Sequence, residues 1–192
     1  MMDRRWLNNR AMDYLDEYKK SQVQLVVPGT TSNRTSWQPP PPSIYKLNFD
    51  VATFSDLNCS RFGAIIHNEK GEVMAGMSVK GAFVHNSVEA EALACMRAVE
   101  FSIEAGFSRL VIEGDNVMVM NAISCSADDN SLLGHIFEDI QNLICELLYV
   151  SISCIKRGGN IVAHSLAQHA SNISDEMYWL EDSSPPAMDV LY

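Results

Sequence analysis

The chemistry open to this chain is narrowed first by the motifs it lacks. It has no G-x-S-x-G nucleophile elbow, no Walker-type phosphate loop and no H-E-x-x-H zinc signature, and Gly158-Gly159 is too short to cradle a phosphate. His164 and His169 stand five residues apart, a spacing that does not place two ligands on one helical face. The five cysteines (Cys59, Cys95, Cys125, Cys145 and Cys154) are scattered with no C-x-x-C pair, so they read as reduced core residues. What remains is acid. Asp50 lies in an alternating apolar run, and Glu91 in a stretch that also carries Glu89, Glu100 and Glu104. Asp115 falls at a strand-to-helix corner, where α/β sites tend to gather. Taken singly, each also has an ordinary role, as a polar strand residue, a solvated helix acid and a helix cap.

The elements that must position these residues follow from hydrophobic period. In IYKLNFDV, Tyr45, Leu47, Phe49 and Val51 alternate with Lys46, Asn48 and Asp50, which predicts a strand with one buried face and Asp50 opposite Leu47 and Phe49. Two more apolar runs, at 62–67 and 72–79, flank Asn68-Glu69-Lys70-Gly71 and predict a hairpin. From Ser87 to Ala105 the pattern becomes a helical stripe of Val88, Ala92, Cys95, Met96 and Val99, with Asn86 and Glu89 suited to its start and Gly106 to its end. A strand at 109–114, a helix starting at Asp115, a helix at 132–148, a strand at 149–155 and a helix at 161–170 complete the order. This describes three meander strands with two more added through helical crossovers, an α/β or α+β domain. Spacing alone does not specify a reaction.

A chain of 192 residues, 47% hydrophobic and 20% charged, supports one sizeable core. Residues 1–43 read as an N-terminal tail, with a polar helix over 3–22 and a Pro-rich linker over 28–43; 44–174 as the domain; and 175–192 as a C-terminal tail. No apolar run reaches the ~18–20 residues of a membrane span, and the start lacks the apolar stretch of a secretory signal. The expectation is an intracellular protein, of nucleus or cytoplasm, in which the sequons at Asn33, Asn58 and Asn172 are unused. The net charge of −10 argues against strong non-specific nucleic-acid binding, leaving local cations such as Arg61, Lys80, Arg97 and Lys156-Arg157 to supply any phosphate contact.

The ordered segments KLNFDVA, VEAEALACMRAVEFSIEAG, RLVIEGD and KRGGNIVAHSLAQHA are similar in order and spacing to the ribonuclease H family. More closely, with WQPPPPSIYKLNFD and YWLEDSSPPAMDVLY, they resemble the ribonuclease-H-like domains of plant non-LTR retroelement polyproteins and their stand-alone relatives. The resemblance covers about residues 37 to 192. It implies an α/β fold with a five-stranded mixed sheet, three strands antiparallel and two parallel, flanked by helices. It also implies a site of four acids holding two Mg²⁺ ions, with Mn²⁺ as the substitute, and hydrolysis of the RNA strand of RNA–DNA hybrids.

Carried over by position, the first three acids are Asp50, Glu91 and Asp115, the implied metal ligands, and the fourth position holds His164. Two hard cations ~3.5–4 Å apart can activate water, relieve charge on the transition state and stabilise the leaving oxygen. Magnesium favours carboxylate oxygens and retained waters, whereas a neutral imidazole is a softer ligand that suits Mn²⁺ or Zn²⁺ better. Arg97, Asn116, Lys156, Arg157 and Asn160 are the nucleic-acid contacts expected around such a site, with 2′-hydroxyl reading in a shallow minor groove separating RNA from DNA.

The chain departs from the family pattern in four places. Val51 stands where a small residue usually follows the first aspartate, KRGGN replaces a His-bearing loop, no basic handle is present, and His164 replaces the fourth acid. The last, with the net charge, sets up the rival expectation of a ribonuclease-H-like module that binds nucleic acid or protein without efficient turnover. An unrelated α/β domain binding a small molecule is a further alternative that the motif order disfavours.

Overall fold

Alternating side chains make Tyr45–Phe54 the first strand, β1, and its antiparallel partners are β2 (Cys59–His67) and β3 (Val73–Lys80). In this computed structural model the described residues are 36–54, 59–84, 86–124, 131–174 and 176–180. The helix expected over 3–22 and the first half of the linker, 28–35, lie outside them. The β2–β3 turn closes as its residues require: Gly71 adopts φ 79°, and the Asn68 side chain accepts from the backbone N–H groups of Lys70 and Glu72.

Helix α1 (Ser87–Glu104) starts with the Asn86 side chain accepting from the Glu89 N–H, and beyond it Gly106 takes φ 87°. It is followed by β4 (Arg109–Gly114), α2 (Val117–Ser124), α3 (Leu132–Ile144), β5 (Tyr149–Cys154), a 3₁₀ turn at Arg157–Gly159 and α4 (Ile161–His169). Strands β4 and β5 run parallel to β1, the crossover arrangement anticipated from the element order.

Among the described residues the sheet has six strands in the order β5-β4-β1-β2-β3-β6. The extra strand, β6 (Met177–Leu180), lies in the stretch expected as tail and pairs antiparallel with β3. Its Trp179 is buried with Ile65, Ala163 and Leu166 in a small cluster between the sheet and α4. The main core lies on the other face, where Leu47, Phe49 and Val51 pack with Ala94, Cys95, Ala98 and Val99 of α1. The small α1 residues let that helix lie close to the sheet.

The strand expected to have one buried face has two. Lys46, Asn48 and Asp50 are 3%, 2% and 1% exposed, because α4 and Trp37 cover their side of β1. Polar groups survive there by satisfying one another. Lys46 Nζ donates to Glu113 Oε1 at 2.8 Å and to the Gln38 carbonyl, Asn48 donates to Glu113 Oε2, and the Trp37 indole donates to Asn48 Oδ1. Among the described residues Cys59, Cys95 and Cys145 are free thiols. No helix among the described residues is long and apolar enough to cross a membrane.

Candidate metal centre

Parallel pairing of β1 with β4, which sets Asn48 beside Glu113, brings the ends of both strands together. Asp50 projects from one, and Asp115 follows the other after Gly114. A side chain at Gly114 would collide with Phe49, so glycine there lets β4 run against the core beneath the site. Glu91 comes from the second turn of α1, on the side facing β1. The three carboxylates converge: one ligand oxygen from each of Asp50, Glu91 and Asp115 lies within 4.8 Å of the others.

Asp115 was expected at a helix start. The helix begins two residues later, and Asn116 caps it, its Oδ1 accepting from the Met118 and Val119 N–H groups at 3.0 and 3.3 Å. That leaves the Asp115 carboxylate free of capping duty. Arg157 Nε approaches its Oδ2 at 3.8 Å from a side chain 73% exposed, a contact that solvent screens.

Asp50 is fully enclosed. Its Oδ1 accepts from the Val51 N–H at 2.8 Å, and its Oδ2 is 2.9 Å from His164 Nδ1. His164 reaches it because α4 lies directly on β2. Gly63, opposite Asp50 in the β1–β2 register, leaves no room for a side chain: a Cβ there would fall 2.3 Å from the Ala167 nitrogen and 2.4 Å from the Ala163 carbonyl. Asn160 fixes the start of that helix, its Nδ2 donating to the Phe49 carbonyl at 2.8 Å and its Oδ1 accepting from Asn48. Val51, the departure next to Asp50, points into the main core and takes part in packing.

The electrostatics are those of a charge deficit. Burial, and then the neighbouring Asp115 carboxylate, raises the Asp50 pKa, against the lowering effects of the Val51 N–H and His164. Glu91 is pushed up to about 8 by burial first and then by Asp50 and Asp115, with Arg157 opposing. Its Oε2 is buried with no hydrogen-bond partner among the described residues. Three hard oxygen donors within one small volume, one with an orphaned atom, fit a divalent cation. They fit poorly without one.

The other residues singled out by sequence are dispersed. Arg97 points toward β6, donating to Tyr178 and Glu100, away from the carboxylates. Lys156 and Arg157 are exposed on the turn before α4, while Asn160 is 1% exposed and serves as an internal tie. Residues the sequence reading passed over are Lys46, Asn48 and Glu113, which brace β1 against β4, and Gly63, which admits α4. The only advance signal for the first pair was a Lys and an Asn on the same strand face as Asp50.

The family model described as reverse transcriptase-like matches residues 48–170. Ribonuclease H1 from the halophilic archaeon Halobacterium salinarum superposes with a TM-score of 0.61 at 22% identity, over 68% of this chain and 98% of that one. LC11 ribonuclease H1, isolated from compost and solved in complex with an RNA/DNA hybrid, gives 0.58 at 18% identity, over 67% of this chain and 96% of that one. The prototype foamy virus protease–reverse transcriptase gives 0.53 at 13% identity, over 74% of this chain and 23% of that one. At these identities the likeness is one of fold. No curated protein matches the chain.

Proposed function

Since the chain belongs to the reverse transcriptase-like family and has the ribonuclease H fold, we propose that it is a divalent-metal-dependent endonuclease hydrolysing the RNA strand of RNA–DNA hybrids. The observation that carries this reading is the convergence of Asp50, Glu91 and Asp115 oxygens within 4.8 Å. We further read Mg²⁺ as the ion, Mn²⁺ as its substitute, and an intracellular, retroelement-derived setting in a plant.

When bound, the metal supplies an activated water and relief of charge on the phosphodiester. The residues of the chain hold and orient it. Asp50 is kept in place by the Val51 N–H, and Asp115 at the end of β4 is relieved of capping by Asn116. Glu91, whose pKa burial and the neighbouring carboxylates push up to about 8, would hold the ion in its ionised form, so metal binding would be linked to release of its proton. Lys156 and Arg157 lie on the turn leading into α4 and offer phosphate contacts next to Asp115.

One observation favours a second reading, a ribonuclease-H-like module that binds without efficient turnover. His164, which stands where the resemblance expects the fourth acid, brings no carboxylate and hydrogen-bonds to Asp50 Oδ2, so both Asp50 oxygens are engaged. Incubation of the protein with a labelled RNA–DNA hybrid, in Mg²⁺ and separately in Mn²⁺, separates the two. Cleavage of the RNA strand supports the nuclease, hybrid retention without cleavage supports the binding module, and neither overturns both.

A further inference from the structure

The first turn of α4 has two flanks. His164 faces Asp50 on one. On the other lies a cavity of about 360 Å³ lined by Trp37, Asn48, Ile65, His67, Gly159 and Ile161 among others. It shares no residue with the carboxylate cluster. Asn48 is two residues before Asp50 on the same strand face, so the two sites are roughly 7 Å apart along β1. We propose that this cavity is a nucleobase pocket, taking the planar base of one nucleotide against Trp37 and His67 with the phosphate held by Lys156 and Arg157.

The walls suit such a ligand in kind and in size. The volume is at the small end of ligand sites, enough for a single ring system with its sugar and too little for a peptide segment. Trp37 and His67 present two aromatic rings with centroids 4.8 Å apart, tilted at 56°, and Ile65, Val162 and Ile161 supply apolar surface for a flat face. A polar edge accompanies them. His67 is 8% exposed, and its Nδ1 has no hydrogen-bond partner among the described residues, a condition that a buried ring nitrogen rarely tolerates without a ligand or water. Burial and the neighbouring Lys46 lower its pKa to about 4, so the ring is uncharged at neutral pH and offers one donor and one acceptor. The Asn48 carbonyl oxygen, which accepts from the Trp37 indole, keeps a second lone pair for the base edge.

Charge selects a nucleotide over a bare aromatic. Lys156 and Arg157, both exposed, immediately precede Gly158 and Gly159 in the pocket wall. They stand on the turn between this wall and Asp115, whose Oδ2 Arg157 reaches at 3.8 Å, so a phosphate at the mouth competes with one solvent-screened contact. The nucleotide is either free or a single unpaired residue of a strand. Because the pocket is separate from the carboxylates, its occupancy does not depend on hydrolysis.

The test is a titration in EDTA, so that no cleavage occurs, with 2-aminopurine riboside 5′-monophosphate in one arm. The other arm uses an RNA–DNA hybrid carrying 2-aminopurine in a single-stranded overhang. Saturable quenching of the probe, with movement of the Trp37 indole N–H resonance, is expected in at least one arm, and which arm responds identifies the source. Trp37→Ala should weaken binding by roughly 10-fold or more. Ile161 is 57% exposed at the first position of α4, where an acid suits the helix end, so Ile161→Glu should keep the parent's melting temperature while repelling the phosphate. No saturable change in either arm, or equal affinity in the parent and both variants, overturns the pocket.

Discussion

With divalent cations removed, the protein should lose stability as pH rises from 6.5 to 8, and Glu91→Gln should abolish most of that loss. Glu91 is 9% exposed, and its pKa is pushed from 4.5 up to about 8 by burial and by Asp50 and Asp115. The folded state therefore holds this proton more tightly than the unfolded chain. Between pH 4.5 and 8 the unfolded state binds fewer protons, and stability falls with rising pH. His67 acts in the opposite sense. Its pKa is lowered from 6.5 to about 4, so the unfolded state binds more protons and stability rises with pH across that interval, then levels off. Above pH 6.5 the Glu91 effect is thus unmasked. At ~1.36 kcal/mol per unit, the interval to pH 8 is worth roughly 1.5 kcal/mol after allowing for half-titration at its upper end. With a urea m-value of ~1–3 kcal/mol/M, the denaturation midpoint should drop by roughly 0.5–1.5 M. Saturating Mn²⁺ should flatten the profile, because the ion binds the ionised carboxylate. A midpoint in EDTA that does not move between these two pH values, or that moves equally in Glu91→Gln, would refute the reasoning.

Asp50→Asn should abolish hybrid cleavage in a gel assay while leaving the circular dichroism spectrum and melting intact, since it removes charge from the cluster and keeps the shape; undiminished turnover would place the activity elsewhere. His164→Asp should raise the Mg²⁺-supported rate and narrow the preference for Mn²⁺, as it supplies the missing carboxylate and releases Asp50 Oδ2. A variant no faster than the parent in Mg²⁺ would put the lesion outside this position. A chain starting at Ile44 should be less stable than one starting at Ser36 by on the order of 3 kcal/mol, because it loses the Trp37 bond to Asn48 and the Gln38 carbonyl that accepts from buried Lys46. Equal melting of the two would show that this segment only decorates the domain.

The period-two alternation of β1 was enough to set Asp50 opposite Leu47 and Phe49, and the Asn68–Gly71 and Asn86–Glu89 signals led to turn and cap geometries that the structure contains. Alternation does not distinguish a solvated polar face from one closed by an internal ion pair, so the burial of Lys46 against Glu113, 67 residues away, was invisible. Gly63 read as an ordinary strand residue because the close approach of α4 that demands it is tertiary. The helix was expected to start at Asp115, and Asn116, whose Oδ1 takes the cap, was read only as a nucleic-acid contact because Asp and Asn cap equally well. Four residues of β6 carry too short a pattern to announce a strand, and their partner β3 lies about a hundred residues back in the chain. The convergence of Asp50, Glu91 and Asp115 followed from family resemblance; spacing along the chain contains no information that residues so far apart share one pocket.

Divalent-ion binding itself tests the central claim most directly. Titrating the protein with Mn²⁺, followed by the electron paramagnetic resonance signal of the free ion, should show saturable binding in the parent. Asp50→Asn should lose it, and Mg²⁺ should compete for it. Parent and Asp50→Asn taking up Mn²⁺ equally, or neither binding it, would contradict the assignment of Asp50, Glu91 and Asp115 as a metal centre.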